Sequence, residues 1–314
     1  MNGTFDTDVT TSQIQTLLAQ PENMIWLDVR DPNEHDIALL RDEFHFHPLA
    51  LEDISHGRER AKAEVYEHYY FMIFYSICPP TEERRFDIQP LYLFIGANYL
   101  VSVHNGEFQQ VNETIRRWRD PNAPPGDRSG ALVYALLDTI VDDYFPLLDQ
   151  LADDVDTIED MIFEQFERSS IQQIFSMKRD LLLLRRVIAP ERDALNVLMR
   201  RELPLFRGKD VTYLQDVYDH IIRITDTVDS YRDLLSSAVD SYLSVEASRQ
   251  NKILKVLTVT SIILMGDALI AGIYGMNFEF MPELHWHFGY AYALGLMVVL
   301  SLTLLAVFKR LKWI

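Results

Sequence analysis

Apolar and polar positions follow three different patterns along this chain. Up to about residue 130 the apolar residues come in short runs separated by turn formers. Met24–Val29 (MIWLDV) closes just before Asp31-Pro32, which reads as a strand followed by a helix start. Residues 32–44 predict a helix, and His47-Pro48 opens another through LALEDI. Tyr69–Ile77 (YYFMIFYSI) is a strand by its aromatic and β-branched content, ended by Pro79-Pro80. Leu91–Ile95 and Tyr99–Val103 flank Gly96-Ala97-Asn98 and predict a hairpin. Pro121–Gly126 (PNAPPG) marks a boundary.

From Ser129 onward the pattern is helical. A helix over 129–168 carries Asp138, Asp142, Asp143, Asp149, Asp153, Asp154, Asp156, Glu159, Asp160 and Glu164, and Ser169-Ser170 is expected to break it. The next helix, over 171–201, is basic, so the two predict an antiparallel pair with complementary faces. Between Pro204 and Pro282 there is no proline, and about 210–274 predicts a single helix of roughly 100 Å at 1.5 Å per residue. Its first two thirds are amphipathic and its last third is apolar. Val256–Tyr274 and Gly289–Phe308 each match the roughly 20 residues that cross a 30 Å hydrocarbon core; a buried soluble helix is the other reading of such runs. Lys252 and Lys255 precede the first run, and Lys309, Arg310 and Lys312 follow the second. The loop between them has no Lys or Arg and carries Glu279 and Glu283, so both termini are expected in the cytosol.

The organisation expected is an α/β cytosolic domain over 1–128, a helical pair over 129–208 and a long stalk helix over 209–274. That helix enters the membrane at about 256; an outer loop at 275–288, a second span at 289–308 and a basic tail at 309–314 follow.

Composition sharpens this picture. The formal net charge is −18, from 29 Lys and Arg against 47 Asp and Glu, which argues against nucleic-acid binding and suits a protein that gathers cations. Plain solubility is the ordinary alternative. Cys78 is the only cysteine, so an intrachain disulfide and a thiolate zinc site are excluded. The polar N-terminal MNGTFDTDVTTSQ has no basic or apolar leader pattern. There is no Walker loop, GxSxG or HExxH, and no catalytic constellation competes. His45, His47 and His104 read as structural. His285 and His287 stand with Trp286 in the outer loop, where aromatics are ordinary.

On the long helix Asp219, Asp226, Asp233 and Asp240 recur every seven residues, which keeps them on one face. The same stride meets Ala247, Leu254, Ser261 and Ala268, interleaved with Ser244, Asn251, Thr258, Met265 and Gly272. A small or polar stripe on one span encloses a path only when several copies surround an axis. Close helix packing through small residues is the competing explanation, and so, for the acids, is a solvated face.

After the first span comes Tyr274-Gly275-Met276-Asn277-Phe278, followed by Met281-Pro282-Glu283-Leu284 and the ending FKRLKWI. With HPLALEDI (47–54), VDDYF (141–145) and DVYDH (216–220), these resemble the CorA magnesium and cobalt transporters over nearly the whole chain. The resemblance implies a funnel-shaped homopentamer in the cell membrane carrying Mg²⁺, with Co²⁺ and Ni²⁺ as further ions and no organic cofactor. It implies Gly275, Met276 and Asn277 at the outer mouth, and Asn251, Leu254, Leu257, Ser261, Met265, Ala268 and Gly272 along the pore. Glu52, Asp53, Asp138 and Asp216 match the family's cytosolic regulatory Mg²⁺ ligands, shared between neighbouring subunits.

One departure stands out. The middle of the first span usually reads Pro-Leu-Thr in the family, and here reads Gly266-Asp267-Ala268. A carboxylate inside a bilayer costs ~3 kcal/mol on insertion scales and is a candidate functional site, or a neutral group hydrogen-bonded between subunits. It keeps open a zinc-type transporter on the same scaffold, Zn²⁺ moving with protons through Asp267, although that branch resembles Gly-Val-Asn where Met276 stands. A non-conducting coiled-coil tether is the rival of another class; it should carry Leu or Ile at both core heptad positions, where this face carries aspartates.

Overall fold

The computed structural model describes residues 10, 13–57, 59–78, 85–119, 129–164, 168–200, 203, 205–206, 208–277, 279 and 281–313. Contacts divide the chain into two units, one up to Ala238 and one from Val239.

The first unit opens with α1 (Ile14–Leu18), β1 (Ile25–Arg30), α2 (Glu34–Phe44) and α3 (Pro48–His56). Asn33 starts α2 with a reciprocal capping box to Asp36. His47 starts α3: its Nδ1 accepts from the Leu49 N–H at 3.2 Å, Pro48 fills the first helical position, and Gly57 ends the helix at φ 62°. The sheet continues through β2 (Lys62–Val65), β3 (Tyr70–Cys78), β4 (Asp87–Ile95) and β5 (Tyr99–His104), in the order β1-β5-β4-β3-β2. The expected hairpin is present as β4–β5, with Ile95 opposite Leu100, and β1 joins β5 in parallel.

Burial explains the aromatic runs. Tyr70 to Phe74 are all inaccessible, so β3 is covered on both faces. One face packs on α2 and α3 through Leu40, Phe46, Leu51, Phe71, Phe94 and Val101, with Phe46 stacked on Phe94 at 3.9 Å between ring centroids. The other packs on α5 (Ser129–Asp142) and α7 (Arg168–Met199). Between β5 and α5 comes α4 (Gln109–Trp118), and α6 (Tyr144–Glu164) links α5 to α7. The expected helix over 129–168 is therefore two helices, separated at Asp143. Ser169 and Ser170 stand in the first turn of α7 and do not break it.

Helices α6 and α7 pack against each other, and their buried residues are apolar at helical spacing: Leu147, Leu151, Val155 and Ile158 on one, Ile174, Met177, Leu181 and Leu184 on the other. The basic side of α7 also serves α8 (Gly208–Tyr274): Arg185 pairs with Asp229 at 2.7 Å, and Lys178 Nζ donates to Ser236 at 2.9 Å. Leu214, Val217, Ile221, Ile224, Val228 and Leu235 of α8 are all inaccessible. The long helix does carry an apolar heptad seam, then, and packing within the same chain consumes it. Asp219, Asp226 and Asp233 lie on an exposed face.

The second unit holds the end of α8, a 3-10 turn (Pro282–His285) and α9 (Gly289–Arg310). Both helices are long and apolar enough to span a bilayer, and most of their apolar side chains are exposed.

Candidate functional site

In the second unit the apolar part of α8 has two distinct faces. Val259 is 3% exposed and Ile270 9%, with Ile263, Gly266 and Asp267 half-buried. A Cβ on Gly266 would stand 3.0 Å from Leu300 of α9, so this is the face on which the spans meet. Asn251, Leu254, Leu257, Ser261, Met265, Ala268 and Gly272 are all exposed, Leu254 at 56% and Met265 at 71%. At 100° per residue the centre of this stripe lies about 170° round the helix from the α9 face. A Cβ on Gly272 would meet nothing within 4 Å.

Gly275 ends the helix, its N–H shared between the carbonyls of Ala271 (2.9 Å) and Gly272 (3.2 Å). A Cβ there would stand 3.1 Å from the Ala271 oxygen, a tight approach that favours glycine at this position. Met276 and Asn277 follow, both exposed, and Phe278 lies outside the described residues. Across the loop, a Cβ on Gly289 would overlap the carbonyl oxygen of Glu283, so the 3-10 turn sits directly on the start of α9. Trp286 packs near Tyr292 at 5.9 Å.

The four carboxylates expected to hold regulatory Mg²⁺ fall into two groups. Glu52 is exposed on α3, and Asp53 beside it pairs with Lys62 of β2 at 2.9 Å. Asp138, half-buried on α5, lies with Asp142 and His220, whose ligand atoms are within 4.8 Å of one another, and it feels the charge of Asp216. Burial first, then Asp142 and Asp216, raise the Asp138 carboxyl above the ordinary aspartate range; His220 opposes them. Burial and the same acids push the Tyr134 hydroxyl up to about 12. Asp142 also lines a polar cleft of about 440 Å³ between α4 and α5. His220 Nδ1 is buried without a hydrogen-bond partner, and the Phe145 ring packs edge-on against the imidazole at 5.6 Å.

The family model for CorA-like Mg²⁺ transporter proteins matches residues 21–310. The chain belongs to the CorA family. It is 36% identical to the cobalt/magnesium transport protein CorA of Thermotoga maritima over 92% of this chain and 83% of that one. The complete structure of the CorA magnesium transporter from Methanocaldococcus jannaschii superposes with a TM-score of 0.80 at 26% identity, over 93% of this chain and 92% of that one. The cytoplasmic domain of ZntB from Vibrio parahaemolyticus matches with a TM-score of 0.63 at 13% identity, over 72% of this chain and 91% of that one, which is a likeness of fold alone. The α/β unit, the long helix and the two C-terminal apolar helices are thus a CorA architecture, and the protein is a membrane ion transporter, not an enzyme.

Two features of this CorA chain escaped the sequence reading. Asp142 and His220 join Asp138, and the available signal was a pair of i,i+4 spacings, Asp138–Asp142 on α5 and Asp216–His220 on α8. Asp267 has a partner inside the chain: Ser301 Oγ of α9 donates to its Oδ2 at 3.0 Å, while its Oδ1 is buried with none.

Proposed function

We propose that this CorA protein conducts Mg²⁺ passively across the cell membrane as a homopentamer, with Co²⁺ and Ni²⁺ as further ions and both termini in the cytosol. The observation that carries this reading is the exposed stripe on α8, turned away from α9 and running from Asn251 to Gly272 directly into Gly275-Met276-Asn277. One helix with such a face encloses nothing, and five around an axis make a narrow polar path. Mg²⁺ dehydrates reluctantly and keeps an octahedral water shell. A ring of Asn277 side chains and backbone oxygens at the outer mouth suits that, because it hydrogen-bonds the shell without stripping it. Leu254 and Leu257 form rings that close the path by excluding water. The membrane potential supplies ~2.3 kcal/mol per charge per 100 mV, twice that for a divalent ion.

Cytosolic Mg²⁺ regulates the path by bridging Glu52 and Asp53 of one subunit to Asp138 and Asp216 of the next. Asp142 and His220 extend the second group on the same chain, and the cleft beside Asp142 admits a hydrated ion. Met276 supports Mg²⁺ over Zn²⁺. The placement of Asp267 towards α9 and away from the stripe speaks against an ion ligand in the path.

The test is flux into liposomes holding the purified protein, with Mg²⁺, Co²⁺ and Zn²⁺ compared at fixed voltage. Mg²⁺ flux that needs no pH gradient is expected. Zn²⁺ flux that collapses with the proton gradient would move the protein to a zinc-type transporter, and no flux at all would make α8 a tether.

A further inference from the structure

Between Lys255 and Glu279 the only carboxylic or basic side chain is Asp267, with one phenol at Tyr274, and α9 has no carboxylic or basic side chain from Gly289 to Phe308. Tyr290 and Tyr292 are the only phenols on that part of α9. The carboxylate therefore has no ionic partner along either span. What it has is Ser301, whose hydroxyl donates to Oδ2 at 3.0 Å. Beside this bond the spans pack tightly, since the neighbouring Gly266 has no side chain and a Cβ there would be 3.0 Å from Leu300 and 3.9 Å from Leu304.

The other residues of the spans that are buried or half-buried are mostly aliphatic, among them Val259, Ile263, Ile270, Leu300 and Leu304. Leu, Ile and Val faces offer many nearly equivalent rotations of one helix on another, because lipid tails are as apolar as the side chains and no burial term selects among them. A hydrogen bond between two side chains is directional, and in hydrocarbon its loss leaves a polar group with no water to turn to. One such bond beside a glycine contact selects one rotation. The stripe lies on the far side of the same helix, so whatever sets the rotation of α8 sets the direction in which Ser261, Met265, Ala268 and Gly272 point.

We infer that Asp267 is a positioning residue for ion passage: its hydrogen bond with Ser301 fixes the rotation of α8 against α9 and thereby aims the stripe. This rests on the reading of the stripe as the ion path. Gly266 and Asp267 act together, the one allowing close approach and the other fixing the angle.

The experiment uses the assembled protein in bilayers with Cys78→Ser and nitroxide labels at Leu269 and Val299, both exposed. Labelled chains are diluted among unlabelled ones so that each pair reports α8 against α9 within one subunit. The label distance distribution and the Mg²⁺:Co²⁺ flux ratio are read for Asp267→Leu, Asp267→Asn, Ser301→Ala and the Asp267→Leu/Ser301→Ala double variant. Asp267→Leu and Ser301→Ala are each expected to shift or broaden the distribution and to change the flux ratio by roughly threefold to tenfold, the range one interhelical hydrogen bond spans. The double variant should go no further than either single one, because both remove the same bond. Asp267→Asn, whose amide oxygen still accepts from Ser301, should restore both readouts. Unchanged distances in Asp267→Leu and Ser301→Ala overturn the inference. So does loss of flux in Asp267→Asn at unchanged distances, since the carboxylate would then act through its charge. Shifted distances with an unaltered flux ratio overturn the aiming role while leaving the clamp between the helices, and the wild-type liposome flux decides separately whether the protein conducts at all.

Discussion

Glu191 places an ionisable carboxyl in the interior of the α/β unit. It is completely buried on α7, one residue after Pro190. Its Oε1 accepts from the Tyr75 backbone N–H at 2.9 Å, and the Tyr144 hydroxyl lies 3.3 Å away. Burial drives its carboxyl well above the usual glutamate value, and the two hydrogen bonds only partly oppose it. The folded chain therefore holds this proton to higher pH than the unfolded chain. The stability it contributes is complete below the unfolded value of 4.5 and is lost as pH climbs through that value towards the folded one. Glu191→Gln keeps an acceptor for Tyr75 and has nothing to ionise. The variant should be more stable than the parent at pH 8 by roughly 1–3 kcal/mol, the usual cost of an imperfectly paired buried polar group, and about equal at pH 4. Thermal unfolding of the full chain at the two pH values, followed by tryptophan emission, checks this; an identical pH slope in both proteins would contradict it. Nothing in the segment APERDAL announces a buried acid, because its partners lie some fifty and more than a hundred residues away on α6 and β3. Asp267 was legible for the opposite reason: an acid in an unbroken apolar run is anomalous whatever it touches, although only the structure supplies Ser301.

Elements were legible where one physical cause dominated. β3 is apolar and aromatic throughout, the spans are two tandem apolar runs of membrane-crossing length, and the absence of proline between Pro204 and Pro282 leaves α8 uninterrupted. Elements that fold through their neighbours were not legible. β2 is the short edge segment KAEV, held by pairing with β3, and α4 (QQVNETIRRW) is mostly polar and packs on α5. The same holds for the α8 seam: the aspartates at heptad spacing drew the eye, while Leu214 to Leu235 run at the same period on another face. In the loop between the spans, Gly289 joins two elements that sequence treats separately. Gly289→Ala drives a methyl into the Glu283 carbonyl, so the 3-10 turn must move away from α9. A local cost of about 1–3 kcal/mol is expected for such overpacking. Faster hydrogen exchange in residues 281–289, with unchanged exchange in both spans, is the outcome to look for.

For the molecule as a whole the governing quantity is charge. A net charge of −18 on a protein that passes cations has either a kinetic use or none. Asp219, Asp226, Asp233 and Asp240 separate the two cases, because all four are exposed on α8 and recur every seven residues. Gln215 bonds Asp219 at 2.8 Å, a contact an asparagine there can keep. Aligned acids in several copies of the chain raise the local concentration of divalent ions and hence the rate at which they reach or leave the path. That effect is long-range, so salt must remove it: the screening length is about 30 Å at 0.01 M and about 3 Å at 1 M ionic strength. A ligand role would behave differently, since direct coordination survives added salt. Replacing all four by asparagine should lower Mg²⁺ flux several-fold at low ionic strength, and the two proteins should converge as monovalent salt approaches 1 M. A deficit that persists at high salt would mean that the aspartates coordinate the ion. Equal flux at every salt concentration would make them a solvated helix face, and the acidity of the chain a matter of solubility alone.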